Sequence, residues 1–471
     1  SIHPAPTDTF MSIYHNLGIV STDRNLIKVQ GAEFVTDLFP GAKGLKLGLN
    51  HINNTSFPVQ LSGEARIHLI SADSFKTPLL WEYDNGQGRV VFINTDQFSA
   101  KTDRGVISAS YSLLDDVFVY PVINASVFFI DDFPSPIREG SSDLIAQQYG
   151  MDMNNFYTNV WWPDLLAISR KYDFRYTTGM IETYADNVTP PLESQLDTER
   201  HKYFGASNLS EGGEIGLHGY NHVPLCTVDT DVNQTEGYPG WPSTEAMQLS
   251  INELFTFGNS LFPNYKFSTY VPPSNILCSN SRKWLPMILP DLKIISSVYY
   301  KAEDDLQYEQ EFTEASDGII ELPRVISGYE VDDFMRWAAI NELGFHYVNT
   351  HFVHPDDVLD IARGAQKGWA YLRTSFEDYV KWLKGAAPGL RNMTANEGGM
   401  AVQRYARLAM ETNYNNGNLE ISFGNFYDEA WLMMRTNKKP ASLDGAVITQ
   451  VTSDLYLVKA TKSKITISFG E

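Results

Sequence analysis

The chain has 471 residues, of which 43% are hydrophobic, 13% aromatic and 20% charged, a globular balance that excludes wholesale disorder. Thirty-six lysines and arginines against 57 aspartates and glutamates give a formal net charge of −21. That surplus gives no electrostatic reason to bind nucleic acid or an anionic membrane, and no apolar run reaches the roughly 18 residues of a membrane helix.

The length permits two to four domains. Residues 1–120 read as a β-rich accessory module, a candidate carbohydrate-binding unit. Ala65–Ser71 and Gly88–Asn94 are strand-like stretches flanked by turn residues such as Asp84-Asn85-Gly86, and a helix-like stretch follows at 104–114. At Pro121 the pattern changes. Ala125–Ile130 is a continuous apolar run, as expected of a strand buried on both faces. Helix patterns at 157–172, 243–261, 332–342 and 369–386 then alternate with strand patterns at 174–181, 214–218, 266–271, 292–300, 319–323 and 345–354. Such alternation predicts a parallel α/β barrel over 121–388. From 389 to 471 the segments are short, alternating and β-branched, which predicts a small β-sandwich.

Two acids, Asp131-Asp132, end the apolar strand. Burying both carboxylates costs free energy unless a cation or donors meet them, and the C-terminal end of a parallel strand is where barrel enzymes hold reacting groups. The bland alternative is a turn or helix-cap aspartate. Next comes Glu214–His222, a short strand opening into a loop with His218 and His222 four residues apart. On a helical turn, that spacing brings both imidazoles to one ion. Last is Phe345–His354, read as a strand carrying His346, His351 and His354 toward Pro355. His354 at the mouth is a natural proton donor, whereas His346 and His351 read as satisfied core histidines.

Asp131-Asp132, then His218-x-x-x-His222, then a late strand ending in His354-Pro355, resembles the NodB-homology polysaccharide deacetylases in residues and in order. The resemblance implies a distorted (β/α)7 barrel. It implies Asp131 as general base, Asp132, His218 and His222 as ligands of a divalent metal, and His354 as general acid. Zinc suits an Asp-His-His set with open positions, and cobalt or nickel also satisfies it. The family places an arginine against its base aspartate, in an Arg-Pro-Pro-Tyr-like motif. Here Tyr270-Val271-Pro272-Pro273-Ser274 puts Val271 at that position. Arg324, which ends another predicted strand, is the expected replacement.

The implied partner is an acetylated polysaccharide, most simply an N-acetylated one, processed by an exported enzyme. A chain beginning at Ser1 without a leader fits a trimmed product. Aromatic faces pack on pyranose rings, so Tyr220, Tyr270 and Trp241 are candidate substrate contacts. Cys226 and Cys278 either pair in an oxidising compartment or stay as inert thiols. Two other readings compete: a non-catalytic glycan-binding barrel, and a glycosidase using Asp131 or Asp132 with Glu321, which leaves the histidines unexplained.

Overall fold

A computed structural model of the chain describes residues 9–470, apart from 24, 49–52, 138–139, 231–236 and 303–304. At its centre lies a ten-stranded sheet built around β1 (Ala125–Ile130). All six residues of β1 are buried, between parallel neighbours on either side. Burying each large apolar side chain of this run contributes about 1.5–3 kcal/mol, which is why the strand has no polar face.

The ten include the short strands Thr313–Glu314, antiparallel at one edge, and Asn392–Met393, beside β1. The other barrel strands are β2 (Tyr176–Met180), β3 (Glu214–Leu217), β4 (Thr269–Tyr270), β5 (Ile294–Ile295), β6 (Ile320–Glu321), β7 (Ile326–Ser327) and β8 (Val348–Val353). Their order across the sheet is β6-β5-β4-β3-β2-β1-β8-β7, all parallel. Helices α1 (Trp162–Tyr172), α2 (Glu199–Ser210), α3 (Thr244–Leu261) and α4 (Ser279–Ile288) separate the first five strands. Helix α5 (Asp333–Phe345) precedes β8 and α6 (Trp369–Ala386) follows it. Ser243 starts α3 by accepting from the Ala246 amide, and the face carrying Met247, Ile251, Leu254 and Phe257 is buried against the sheet.

Strands β6 and β7 stand at opposite ends of this order, yet only residues 322–325 separate them. Four residues span at most about 14 Å, so the sheet must curl until its ends face each other. Leu322 and Arg324 donate their amides to the carbonyls of Ile295 and Ser297, while Val325 donates to that of Thr350. The linking segment is thus hydrogen-bonded to both ends of the sheet. This is the distorted barrel that the alternating pattern predicts, and β-rich modules accompany it.

Several strand expectations change. Strand 266–271 shrinks to Thr269–Tyr270 and 319–323 to Ile320–Glu321. Strand 292–300 shrinks to Ile294–Ile295. The expected strand 345–354 begins only at Val348, because α5 runs on to Phe345 and His346 caps it. Tyr347, at φ +54°, then turns the chain.

Before the barrel, Lys46–Leu47, Ala32–Phe34, Arg66–Ile70, Pro78–Asp84 and Arg89–Ile93 form a five-stranded antiparallel sheet. After it come two four-stranded antiparallel sheets with a shared core that includes Ile421, Leu432, Val458 and Ile467. One of them takes in Val117–Val122, which pairs with Ala430–Thr436 just before β1 begins. Helix α7 (Ala395–Arg407) packs on the barrel, where Gly398 lies so close to Val127 that an added Cβ would fall 2.8 Å from its Cγ2.

Candidate active site

Asp131 and Asp132 follow directly on β1, and Asp132 adopts φ +54°. That left-handed turn sends consecutive carboxylates to different partners. Both side chains are buried. Asp132 Oδ1 lies 3.2 Å from His218 Nε2 and 3.3 Å from His222 Nε2. Neither Asp132 Oδ1 nor His218 Nε2 makes a hydrogen bond, although both are buried. Buried polar atoms are normally satisfied, and this convergence is one that could hold a cation. Among the described residues, Asp132, His218 and His222 form the one group of three or more His, Cys, Asp or Glu side chains with ligand atoms within 4.8 Å of one another.

The imidazoles are oriented from behind. His218 Nδ1 is 2.8 Å from the Val271 carbonyl, an acceptor, so Nδ1 carries the proton and Nε2 presents its lone pair to the site. His222 Nδ1 lies 3.2 Å from the Tyr238 hydroxyl, which in turn lies 2.5 Å from Ser274 Oγ. The segment between the histidines is the loop the sequence reads there, bent rather than helical, with Gly219 at φ +88° and His222 at φ +60°. The rings still meet, with centroids 5.1 Å apart. On β2, a Cβ at Gly179 would stand 3.1 Å from the His218 Cβ, so glycine there lets the ligand sit close to β1.

Arg324 is 1% exposed, and its Nη1 donates to Asp131 Oδ1 at 2.6 Å and Oδ2 at 2.5 Å. Its Nη2 donates to Asn275 Oδ1, and its guanidinium lies 4.0 Å over the Phe352 ring. Burial alone would push the Asp131 carboxyl up, but Arg324, His218 and His354 hold it below the usual carboxylate range. Asp132 is likewise raised by burial and lowered more strongly by His222 and His218.

His354 Nε2 lies 3.7 Å from Asp131 Oδ2, and Nδ1 lies 3.3 Å from Asp357 Oδ1. Burial pulls the imidazole down, but Asp357 and Asp131 push it above the ordinary histidine value. Asp131, Asp132, His222 and His354 open onto a cleft of about 590 Å³. Its further walls include Ser274, Asn275, Tyr329, Phe352 and Arg363.

The proposed aromatic contacts are corrected by their burial. Tyr220, Tyr270 and Trp241 all belong to a buried apolar cluster and do not line this cleft. Tyr220 points away, donating its hydroxyl to the Glu193 carbonyl at 2.6 Å. Tyr329 and Phe352 are the aromatic walls instead. His351 Nε2 donates to the Gly328 carbonyl at 2.7 Å, and His346 pairs with Glu342, so both are internally partnered. Glu321 is held by Arg282, Tyr308 and Gln310 outside the cleft, which leaves the glycosidase pairing without its second carboxylate. Cys226 and Cys278 form a disulfide.

Residues missed from the sequence are Asn275, Asp357 and Arg363; Tyr238, read there as a candidate sugar-packing aromatic, instead bridges His222 and Ser274. Asp357 was readable, since it stands three residues after His354 on a tight turn opened by Pro355. Nothing local distinguishes Asn275, whose role depends on a guanidinium 49 positions away.

Among solved structures, the chain resembles Agd3, described as a novel carbohydrate deacetylase, with a TM-score of 0.52 and 11% identity over 97% of this chain and 84% of that one. That likeness establishes the fold. Lower scores relate it to a CE4 family pseudoenzyme from Bacillus anthracis (0.33, 11% identity, 59% of this chain and 66% of that one). The Bc1960 peptidoglycan N-acetylglucosamine deacetylase scores 0.29, with 13% identity over 58% of this chain and 87% of that one. No curated protein matches by sequence. The family described as "Uncharacterised protein conserved in bacteria (DUF2194)" matches residues 9–457, nearly the full length, and the chain belongs to it.

Proposed function

We propose that the protein is a metal-dependent deacetylase acting on an acetylated polysaccharide. The observation that carries this reading is the set Asp132, His218 and His222, with two of its buried ligand atoms unbonded, beside Asp131 and His354 in one cleft. A divalent cation held by the three ligands, zinc by preference, supplies Lewis-acid activation of water and of the acyl carbonyl. The donor set fits such an ion: two imidazole nitrogens and one carboxylate oxygen within 4.8 Å of one another.

The chain's own groups divide the proton work. Asp131, kept ionised by Arg324, accepts the proton of the attacking water. His354, raised by Asp357 and Asp131, returns a proton to the departing amine through Nε2. Arg324 supports the enzyme reading over the glycan-binding one, because a guanidinium stands at the base despite Val271. The disulfide, and the lack of any helix long and apolar enough to cross a membrane among the described residues, agree with an exported protein. The three modules read from the sequence are proposed to divide into a catalytic barrel and flanking β-rich units.

The test is acetate release from N-acetylated and O-acetylated glycans by the zinc-loaded protein. Release that disappears in Asp131→Asn and His218→Ala, with circular dichroism unchanged, supports the reading. A zinc-loaded wild type silent on a broad panel refutes it.

A further inference from the structure

Arg363 projects from a short turn, Ile361–Arg363, at the cleft wall. Its Nη1 donates to His354 Nδ1 at 2.6 Å and to Asp357 Oδ1 at 2.5 Å. The same Asp357 oxygen lies 3.3 Å from the same Nδ1. One ring nitrogen thus has two neighbours with opposite requirements. The guanidinium is a donor without a lone pair, so its bond needs a bare Nδ1. The carboxylate accepts only, so its bond needs a proton on Nδ1. Both cannot be satisfied together.

With Arg363 seated, the ring is the neutral tautomer protonated at Nε2. A neutral imidazole is a poor proton donor near pH 7, whereas an imidazolium is a good one. Forming the imidazolium places a second proton on Nδ1, and Arg363 must first leave that nitrogen. It has somewhere to go. Its side chain is 45% exposed, its Nε already lies 3.4 Å from Asp360 Oδ2, and Gly364 beside it holds φ +92°.

We propose that Arg363 is a positioning residue that sets the charge state of His354 by competing with Asp357 for Nδ1. The inference rests on the deacetylase reading for its purpose, although the competition itself does not depend on activity. The other charges acting on the ring are Asp131 and Asp132 at the end of β1, and the Tyr329 hydroxyl donates to the His354 carbonyl at 3.3 Å. Arg363 lowers the histidine's proton affinity while Asp357 raises it, in keeping with the competition.

The test uses the full chain with ¹⁵N-labelled histidine, the His354 signal being assigned by its loss in His354→Gln. In wild type at high pH, Nδ1 should report the unprotonated nitrogen of the Nε2–H tautomer. Arg363→Gln should raise the His354 proton affinity about tenfold, and Asp357→Asn should lower it. In the acetate assay the alkaline limb of kcat should move in the same direction in each variant. An Arg363→Gln protein that folds, with the His354 midpoint unmoved while Asp357→Asn shifts it, overturns the proposal. If the wild type releases no acetate, the deacetylase reading fails alone, and the NMR titration still decides the role of Arg363.

Discussion

Arg324 and Asp131 stand 193 positions apart, yet one guanidinium nitrogen touches both oxygens of the carboxylate. Both side chains are nearly sealed from solvent. Removing one member strands a buried charge, at a typical cost of about 3–5 kcal/mol. Arg324→Leu should therefore lower the urea midpoint sharply. Adding Asp131→Asn to it should restore much of the loss without restoring acetate release. A double variant no more stable than the single one would show that Arg324 supports the fold through other contacts.

Removal of the ion should be reversible. Wild type should carry one divalent ion per chain by elemental analysis. Asp132→Asn and His218→Ala should carry far less and lose about 1,000-fold or more in kcat. A chelator should abolish acetate release, and zinc should return it. Gly179→Ala should weaken zinc binding about tenfold, because the new methyl presses on His218 from β2.

The pH profile follows from the two proposed proton carriers. Asp131 has a depressed pKa, so its contribution to stability is present at neutral pH and fades as pH falls through the folded value. Its acid limb in kcat/KM should lie below about 4, the ordinary aspartate value. His354 has a raised pKa, so its contribution is complete below about 6.5 and is lost as pH rises through the folded value. The alkaline limb should lie above 6.5. A profile with its alkaline limb below 6 would remove His354 from the acid role.

The disulfide links the loop after His222 to the loop after Asn275, across a separation of 52 residues. Constraining an unfolded chain over such a loop stabilises by about 2–4 kcal/mol. Cys226→Ser/Cys278→Ser should lower the melting temperature accordingly. Zinc affinity should fall as well, because Tyr238 joins His222 to Ser274 between those loops.

The chemistry-bearing residues were legible where burial made them costly. Two carboxylates closing the run Ala125–Ile130 demand partners, and His218 and His222 supply a matching pair. Arg324 was legible as a basic residue ending a strand in a chain whose Val271 stands where the family resemblance expects an arginine beside Asp131. Side-chain direction was not legible in short strands. Tyr270 occupies a two-residue strand, where alternation has no length over which to show, and its ring turned out to face the core. The segment Phe345–Val348 reads as strand from its aromatic and β-branched residues. The left-handed Tyr347 that separates helix from strand leaves no local trace.

The segment that sews β5 to β8 also carries the guanidinium opposite the base. Closure of the barrel and assembly of the charged pair are therefore one event. A chain with the seam unzipped has its first strand and its two histidines within one half of the sheet, but Asp131 without Arg324. On the proposed reading, such a partly folded form lacks the guanidinium that keeps its base ionised. For an exported deacetylase this coupling would be a safeguard, since the pair forms only when the last edge of the sheet has found the first.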